Sequence, residues 1–117
     1  MKSKPKIGVY SILNNINHKC YIGGSTWLTH RKSDHFGRLN RQKHHSERLQ
    51  TAWDEYGAEN FSFHVLYECT KEELEKWENF FIDFYHAHDP EWGYNIDPKA
   101  NNKEKAESTK LKISQAN

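Results

Sequence analysis

The sequence predicts a small α/β protein of the α+β type: a three-stranded antiparallel sheet flanked by three helices, in the order ββααβα. Three observations lead there. Two short β-branched and aromatic runs near the N-terminus are separated by the polar stretch Asn14-Asn15-Ile16-Asn17-His18-Lys19. Residues 61–67 alternate apolar and polar side chains, the period of a strand. Three further stretches repeat apolar residues at helical spacing.

The elements follow in order. Residues 7–13 form the first strand and 20–22 the second, joined through the polar turn as a hairpin. Gly23-Gly24 ends the second strand, and Ser25 or Thr26 then caps a helix reaching about residue 40. Leu28, His35 and Leu39 share one face of that helix, with Arg31 at its edge. A second helix starts near Ser46; Leu49, Ala52, Trp53 and Tyr56 form its apolar stripe, and Gly57 suits its C-terminal cap. Thr70-Lys71-Glu72-Glu73 is a capping-box signature. The third helix carries Leu74, Trp77, Glu78, Phe81, Phe84 and Tyr85 on one broad face and ends near residues 86–88. Residues 92–96 follow as a short buried segment. From Pro98 onward aromatics vanish, so residues 1–97 are expected to be the domain and 98–117 a basic tail.

Composition narrows the function classes. The chain has 117 residues, 35% hydrophobic and 14% aromatic, enough for one modest core. No apolar run approaches the roughly 20 residues that span a bilayer, and no long apolar segment follows the basic N-terminus, so neither membrane nor secretory signal is expected. Two cysteines are too few for a disulfide scaffold and fit reduced thiols in the cytoplasm. The formal charge of +1 conceals a dipole. Residues 19–53 carry net +5, residues 54–98 net −10 and the last nineteen net +3. One reading is that the opposite surfaces simply solvate the fold; the alternative is a polyanion meeting the first half.

Several reactive groups fall on faces expected to point inward. Tyr10 and Tyr21 share one face if residue 10 pairs with 21 or 23, and a one-residue slip separates them. Arg31 and His35 lie one turn apart on the first helix. Arg31 needs an anion, either a carboxylate of the fold or a phosphate gripped by its planar fork. Glu78 lies on the apolar face of the third helix and must be paired, protonated or metal-bound. Gly23-Gly24 is either a plain turn or a way to present helix N–H groups to a phosphate. Ligand spacing for zinc is missing, and His44-His45 and His86-x-His88 read as surface residues.

Gly8-Val9-Tyr10, followed eleven residues later by Tyr21-Ile22-Gly23, resembles the paired motif of the GIY-YIG nucleases, with Val for the middle Ile. The resemblance continues through Arg31-x-x-x-His35, His44, Leu49-Gln50-x-Ala52-Trp53, Tyr56-Gly57, Glu78-Asn79-Phe80 and Gly93-Tyr94-Asn95-Ile96. It is similar above all to the catalytic domains of phage and intron homing endonucleases. The resemblance implies a metal-dependent DNA endonuclease that nicks one strand at a time with a single Mg²⁺ or Mn²⁺. In that pattern Tyr10 resembles the general base and Tyr21 the residue positioning the water. Arg31 resembles the phosphate ligand, His35 a histidine tuning a tyrosine, and Glu78 the sole carboxylate on the metal. His44, Asn95 and Gly23 resemble substrate-binding positions. Residues 108–116 resemble the opening of a small DNA-binding repeat found downstream of such nucleases; otherwise they are a plain basic tail. DNA is thus the implied partner, with a separate or missing C-terminal DNA-binding domain, and the isolated chain is expected to be a monomer. The competing class is a non-catalytic DNA-binding or assembly module on the same scaffold.

Overall fold

The computed structural model describes residues 5–96. Strands β1 (Gly8–Asn14), β2 (Cys20–Ser25) and β3 (Phe61–Glu68) form one antiparallel sheet in the order β2-β1-β3. Helices α1 (Leu28–Asn40) and α2 (Glu47–Tyr56) come between β2 and β3, and α3 (Leu74–Phe84) follows β3. No helix among the described residues is long and apolar enough to cross a membrane. The basic tail and its resemblance to a repeat lie outside the described residues.

Strand periodicity divides the core between the two sheet faces. Tyr10 and Ile12 face Leu28, Leu39, Leu49, Trp53 and Phe61 on the α1–α2 side. Val9 and Ile22 face Leu74 and Ile82 on the α3 side. Ile82 is fully buried, and burying such a side chain contributes about 1.5–3 kcal/mol. The register pairs Tyr10 with Gly23 and Ile12 with Tyr21, so the two tyrosines share a face. On the other edge of β1 the ladder slips: Val9 opposes Tyr67 while Tyr10 opposes Val65, leaving Leu66 as an extra residue. This bulge lies beside Tyr10, where such irregularities re-aim a side chain.

Several local expectations change. Neither Ser25 nor Thr26 caps α1. Trp27 occupies the N-cap without a side-chain bond, and Ser25 Oγ instead accepts the Trp27 N–H at 2.9 Å. Gly23 and Gly24 continue β2 to Ser25 and form no turn. Thr70 does accept the Glu73 N–H, but it caps a short 3₁₀ turn that precedes α3. α3 ends at Phe84, and Phe84 and Tyr85 are exposed; Leu74 and Ile82 form its buried stripe. In the segment 92–96, Gly93, Tyr94 and Asn95 are buried while Trp92 and Ile96 are exposed. Gly93 bridges Cys20 in parallel, Tyr94 N donates to Cys20 O, and the segment covers the outer edge of β2.

Candidate active site

The site is built where Tyr10 crosses β2. Tyr10 is buried, its ring stacks on Phe63 with centroids 4.9 Å apart, and its hydroxyl lies over Gly23. A Cβ at position 23 would stand 2.3 Å from Tyr10 Oη. On the opposite face, a Cβ at Gly24 would stand 2.6 Å from Glu78 Oε1. The glycine pair therefore clears one side chain on each face of the same strand. It brings a phenol from β1 and a carboxylate from α3 to one edge of the sheet. Tertiary close approach, not turn geometry, requires glycine here.

A chain of hydrogen bonds runs away from Tyr10. Its Oη is 2.5 Å from His35 Nε2, and His35 Nδ1 is 2.7 Å from His44 Nε2. The main-chain N–H of Ser46 meets His44 Nδ1 at 3.0 Å. Tyr21, half-buried, joins through its edge contacts to the His35 and His44 rings and bonds His45 Nε2 at 2.8 Å. His45 is exposed and stacks on His44 with centroids 4.4 Å apart.

Electrostatics follow from this crowding. Burial pushes the Tyr10 phenol well above its ordinary range, reinforced by Tyr21 and Glu78 and opposed by Arg31. Burial lowers His35 to about 2, with further cost from His44 and Arg31. Burial lowers His44 to about 4, aided by His45. Both rings are neutral at physiological pH. Burial, and then Glu75, raises the Glu78 carboxyl to about 7, with Arg31 offsetting part of this. Arg31 thus acts on Tyr10, His35 and Glu78 together. Among the described residues ion pairs join Lys6 to Glu68 and Arg38 to Asp34, while Arg31 and Glu78 close none.

Tyr10, Tyr21, Arg31, His35, His44 and Glu78 therefore converge. Gly23 lies beneath the Tyr10 hydroxyl. Asn95 stands apart: its Oδ1 accepts Ile22 N–H at 2.7 Å and its Nδ2 donates to Ile22 O at 2.9 Å. Its amide clamps the C-terminal segment to β2. His44 is buried, in contrast to the surface position expected for it. His45 and Ser46 are members that reading the residues missed. The signal was available in His44-His45-Ser46 directly before a helix, where Ser46 was legible only as a cap. Among the described residues no three His, Cys, Asp or Glu side chains form a group that could hold a metal ion; Glu78 is the carboxylate that faces Gly24, with Glu75 near enough to act on it.

This arrangement of tyrosine pair, glycine pair and desolvated carboxylate coincides with a match to a class of nuclease catalytic domains. The GIY-YIG catalytic domain family matches residues 6–95, and the chain belongs to that family. Two solved structures are similar over nearly their whole length. A mutant of the catalytic domain of intron endonuclease I-TevI has 30% identity and a TM-score of 0.73, covering 81% of this chain and 97% of that one. The catalytic domain of homing endonuclease I-TevI has 31% identity and a TM-score of 0.72, covering 79% of this chain and 99% of that one. No curated protein sequence matches the chain significantly.

Proposed function

We propose that this domain hydrolyses DNA phosphodiester bonds with one divalent metal, Mg²⁺ or Mn²⁺, and cuts one strand per catalytic event. The observation that carries this reading is the meeting of Tyr10, Arg31 and Glu78 at the glycine pair of β2. Tyr10, once ionised to the phenolate that Arg31 stabilises, is the acceptor for the proton of the attacking water. Tyr21 and His45 position that water. Arg31 holds the scissile phosphate and offsets the negative charge that grows on it. His35 hydrogen-bonds Tyr10, and His44 supports His35.

The donor set fits a hard divalent ion. Burial, and then Glu75, holds the Glu78 carboxyl up at about 7, with Arg31 offsetting part of this. Mg²⁺ tolerates one carboxylate and keeps waters and substrate oxygens in its other positions. When bound, such an ion would supply positive charge at the phosphate and cancel the Glu78 charge that opposes ionisation of Tyr10. Exposed Lys32, Arg41 and Lys43 lie in the basic half that includes α1, which favours approach of a polyanion from that side. A compact site of one such set accounts for one strand at a time. A separate DNA-binding segment would add target affinity to that of this small domain.

The test is conversion of supercoiled plasmid to open circles with Mg²⁺ or Mn²⁺ and with EDTA, beside Glu78→Ala and Arg31→Ala. Metal-dependent nicking lost in both folded variants is expected. Full activity in Glu78→Ala would overturn the assignment. Metal-independent DNA binding without turnover would favour a non-catalytic module instead.

A further inference from the structure

We propose that the main-chain N–H of Ser46 sets the tautomers of His44 and His35, so that His35 donates a hydrogen bond to Tyr10 and His44 is its positioning residue. The proposal deepens the nuclease reading and rests on it for the role of Tyr10.

The Ser46 N–H is the member of this hydrogen-bonded series whose polarity is fixed. A backbone N–H can only donate. Ser46 is fully buried, so no bulk water competes for its N–H. Its carbonyl is engaged by Gln50 N in α2 at 3.0 Å. Its Oγ accepts Leu49 N at 3.2 Å and donates to Tyr94 O at 2.7 Å. Held at these points, Ser46 aims its N–H at His44 Nδ1 with little freedom to turn. The other side of His44 is held too, because its own N–H donates to Gln50 Oε1 at 3.1 Å.

The rest follows by exclusion. His44 Nδ1 receives a hydrogen and carries none. A neutral His44 ring must then bear its proton on Nε2, which meets His35 Nδ1. His35 Nδ1 is an acceptor in turn, so the His35 proton sits on Nε2 and points at Tyr10 Oη. The reverse polarity would set a hydrogen on His44 Nδ1 against the hydrogen of Ser46 in a site closed to water. Protonating His44 at Nδ1 meets the same obstacle, in keeping with the low basicity that burial gives both rings. The His44 and His35 rings, with centroids 4.9 Å apart and planes 27° apart, lie edge to edge along their hydrogen bond, and stacking of His44 on His45 keeps the ring orientations in register.

The chemical consequence lies at Tyr10. Its oxygen receives a hydrogen bond from His35, and its own proton must point elsewhere. A donor at that position stabilises negative charge on the oxygen as a proton leaves. It also removes His35 from consideration as the acceptor of Tyr10's proton, since the facing nitrogen is occupied.

Histidine ¹⁵N labelling and long-range ¹H–¹⁵N correlation read each ring's tautomer in the metal-free, DNA-free protein. Nε2–H on both His35 and His44 at neutral pH is expected. Nδ1–H on His35, or a mixture of the two forms, would overturn the proposal. Two variants add the functional arm. His44→Gln still offers an N–H toward His35 and should keep the His35 tautomer. His44→Glu offers acceptors only, and should flip His35 to Nδ1–H and lower kcat about 100-fold more than His44→Gln, with KM little changed. Equal kcat in the two variants would refute the catalytic consequence. The spectrum is independent of turnover: Nε2–H on both rings in a protein that never nicks DNA would sink the nuclease reading and leave the hydrogen-bond polarity standing.

Discussion

Gly23→Ala adds one carbon where the Tyr10 phenol crosses β2. That carbon would lie 2.3 Å from Tyr10 Oη and 2.4 Å from Cζ. An unstrained contact needs more than 3 Å, so the phenol or the strand must move by about 1 Å. The ring has little room, because Phe63 stacks behind it and His35 Nε2 holds its oxygen at 2.5 Å. Moving Oη by that amount breaks the bond to His35. Overpacking should cost about 1–3 kcal/mol, and the lost hydrogen bond about 1 kcal/mol more. A misplacement of about 1 Å should also lower nicking about 100-fold. Urea unfolding measures the first effect and plasmid nicking the second. Gly24→Ala supplies the contrast. Its Cβ meets the ends of flexible side chains, Glu78 Oε1 at 2.6 Å and Leu74 Cδ1 at 3.0 Å. These can turn aside, so stability should fall by less than about 1 kcal/mol while nicking is lost with the displaced carboxylate. A Gly23→Ala protein with wild-type stability and wild-type nicking would refute the close-approach argument.

Three further outcomes are expected. The Glu78 carboxyl is raised from its ordinary 4.5 to about 7, so the folded state favours its neutral form. Wild-type stability relative to Glu78→Gln should therefore decline as pH rises from about 4.5 to about 7 in EDTA, measured by urea midpoints; parallel pH profiles would contradict it. Asn95→Ala strips both amide partners from the Ile22 main chain and should lower stability by about 1–3 kcal/mol in thermal unfolding, an effect a residue serving phosphate alone would not produce. His45→Ala removes an exposed partner of Tyr21 and should leave stability within about 0.5 kcal/mol while slowing nicking about tenfold; unchanged nicking would remove His45 from the site.

The reactive set was legible because it is carried by identity and spacing. Tyr10 and Tyr21, Arg31 and His35, and Glu78 stand in recognisable order along the chain. Glu78 was conspicuous for a local reason, a carboxylate among Leu74, Trp77 and Phe81. The face of α3 was read less well. Its apolar residues exceed what one sheet face can cover, and helical periodicity does not say which of Ile82 and Phe84 turns inward. His44 and His45 have the same side chain and adjacent positions, so composition could not separate the buried relay member from the exposed partner of Tyr21.

Local chemistry in the chain dictated the elements: the alternation of β3, the cap at Ser46, the left-handed turn at Gly57 (φ 93°) and the hairpin that carries the two tyrosine motifs, whose register the structure then fixed. These depend on neighbours a few residues apart, and their physics is written in adjacent residues. Only the folded arrangement decided that Gly23 lies under Tyr10, that Gly24 faces Glu78, that Asn95 clamps Ile22, and that the Ser46 N–H terminates the histidine chain. Each joins residues whose relation depends on the packing of whole elements, on a bulge at Leu66 or on the direction of a single backbone N–H. Such directions are set by the sum of many weak contacts across the core, and no local pattern encodes them.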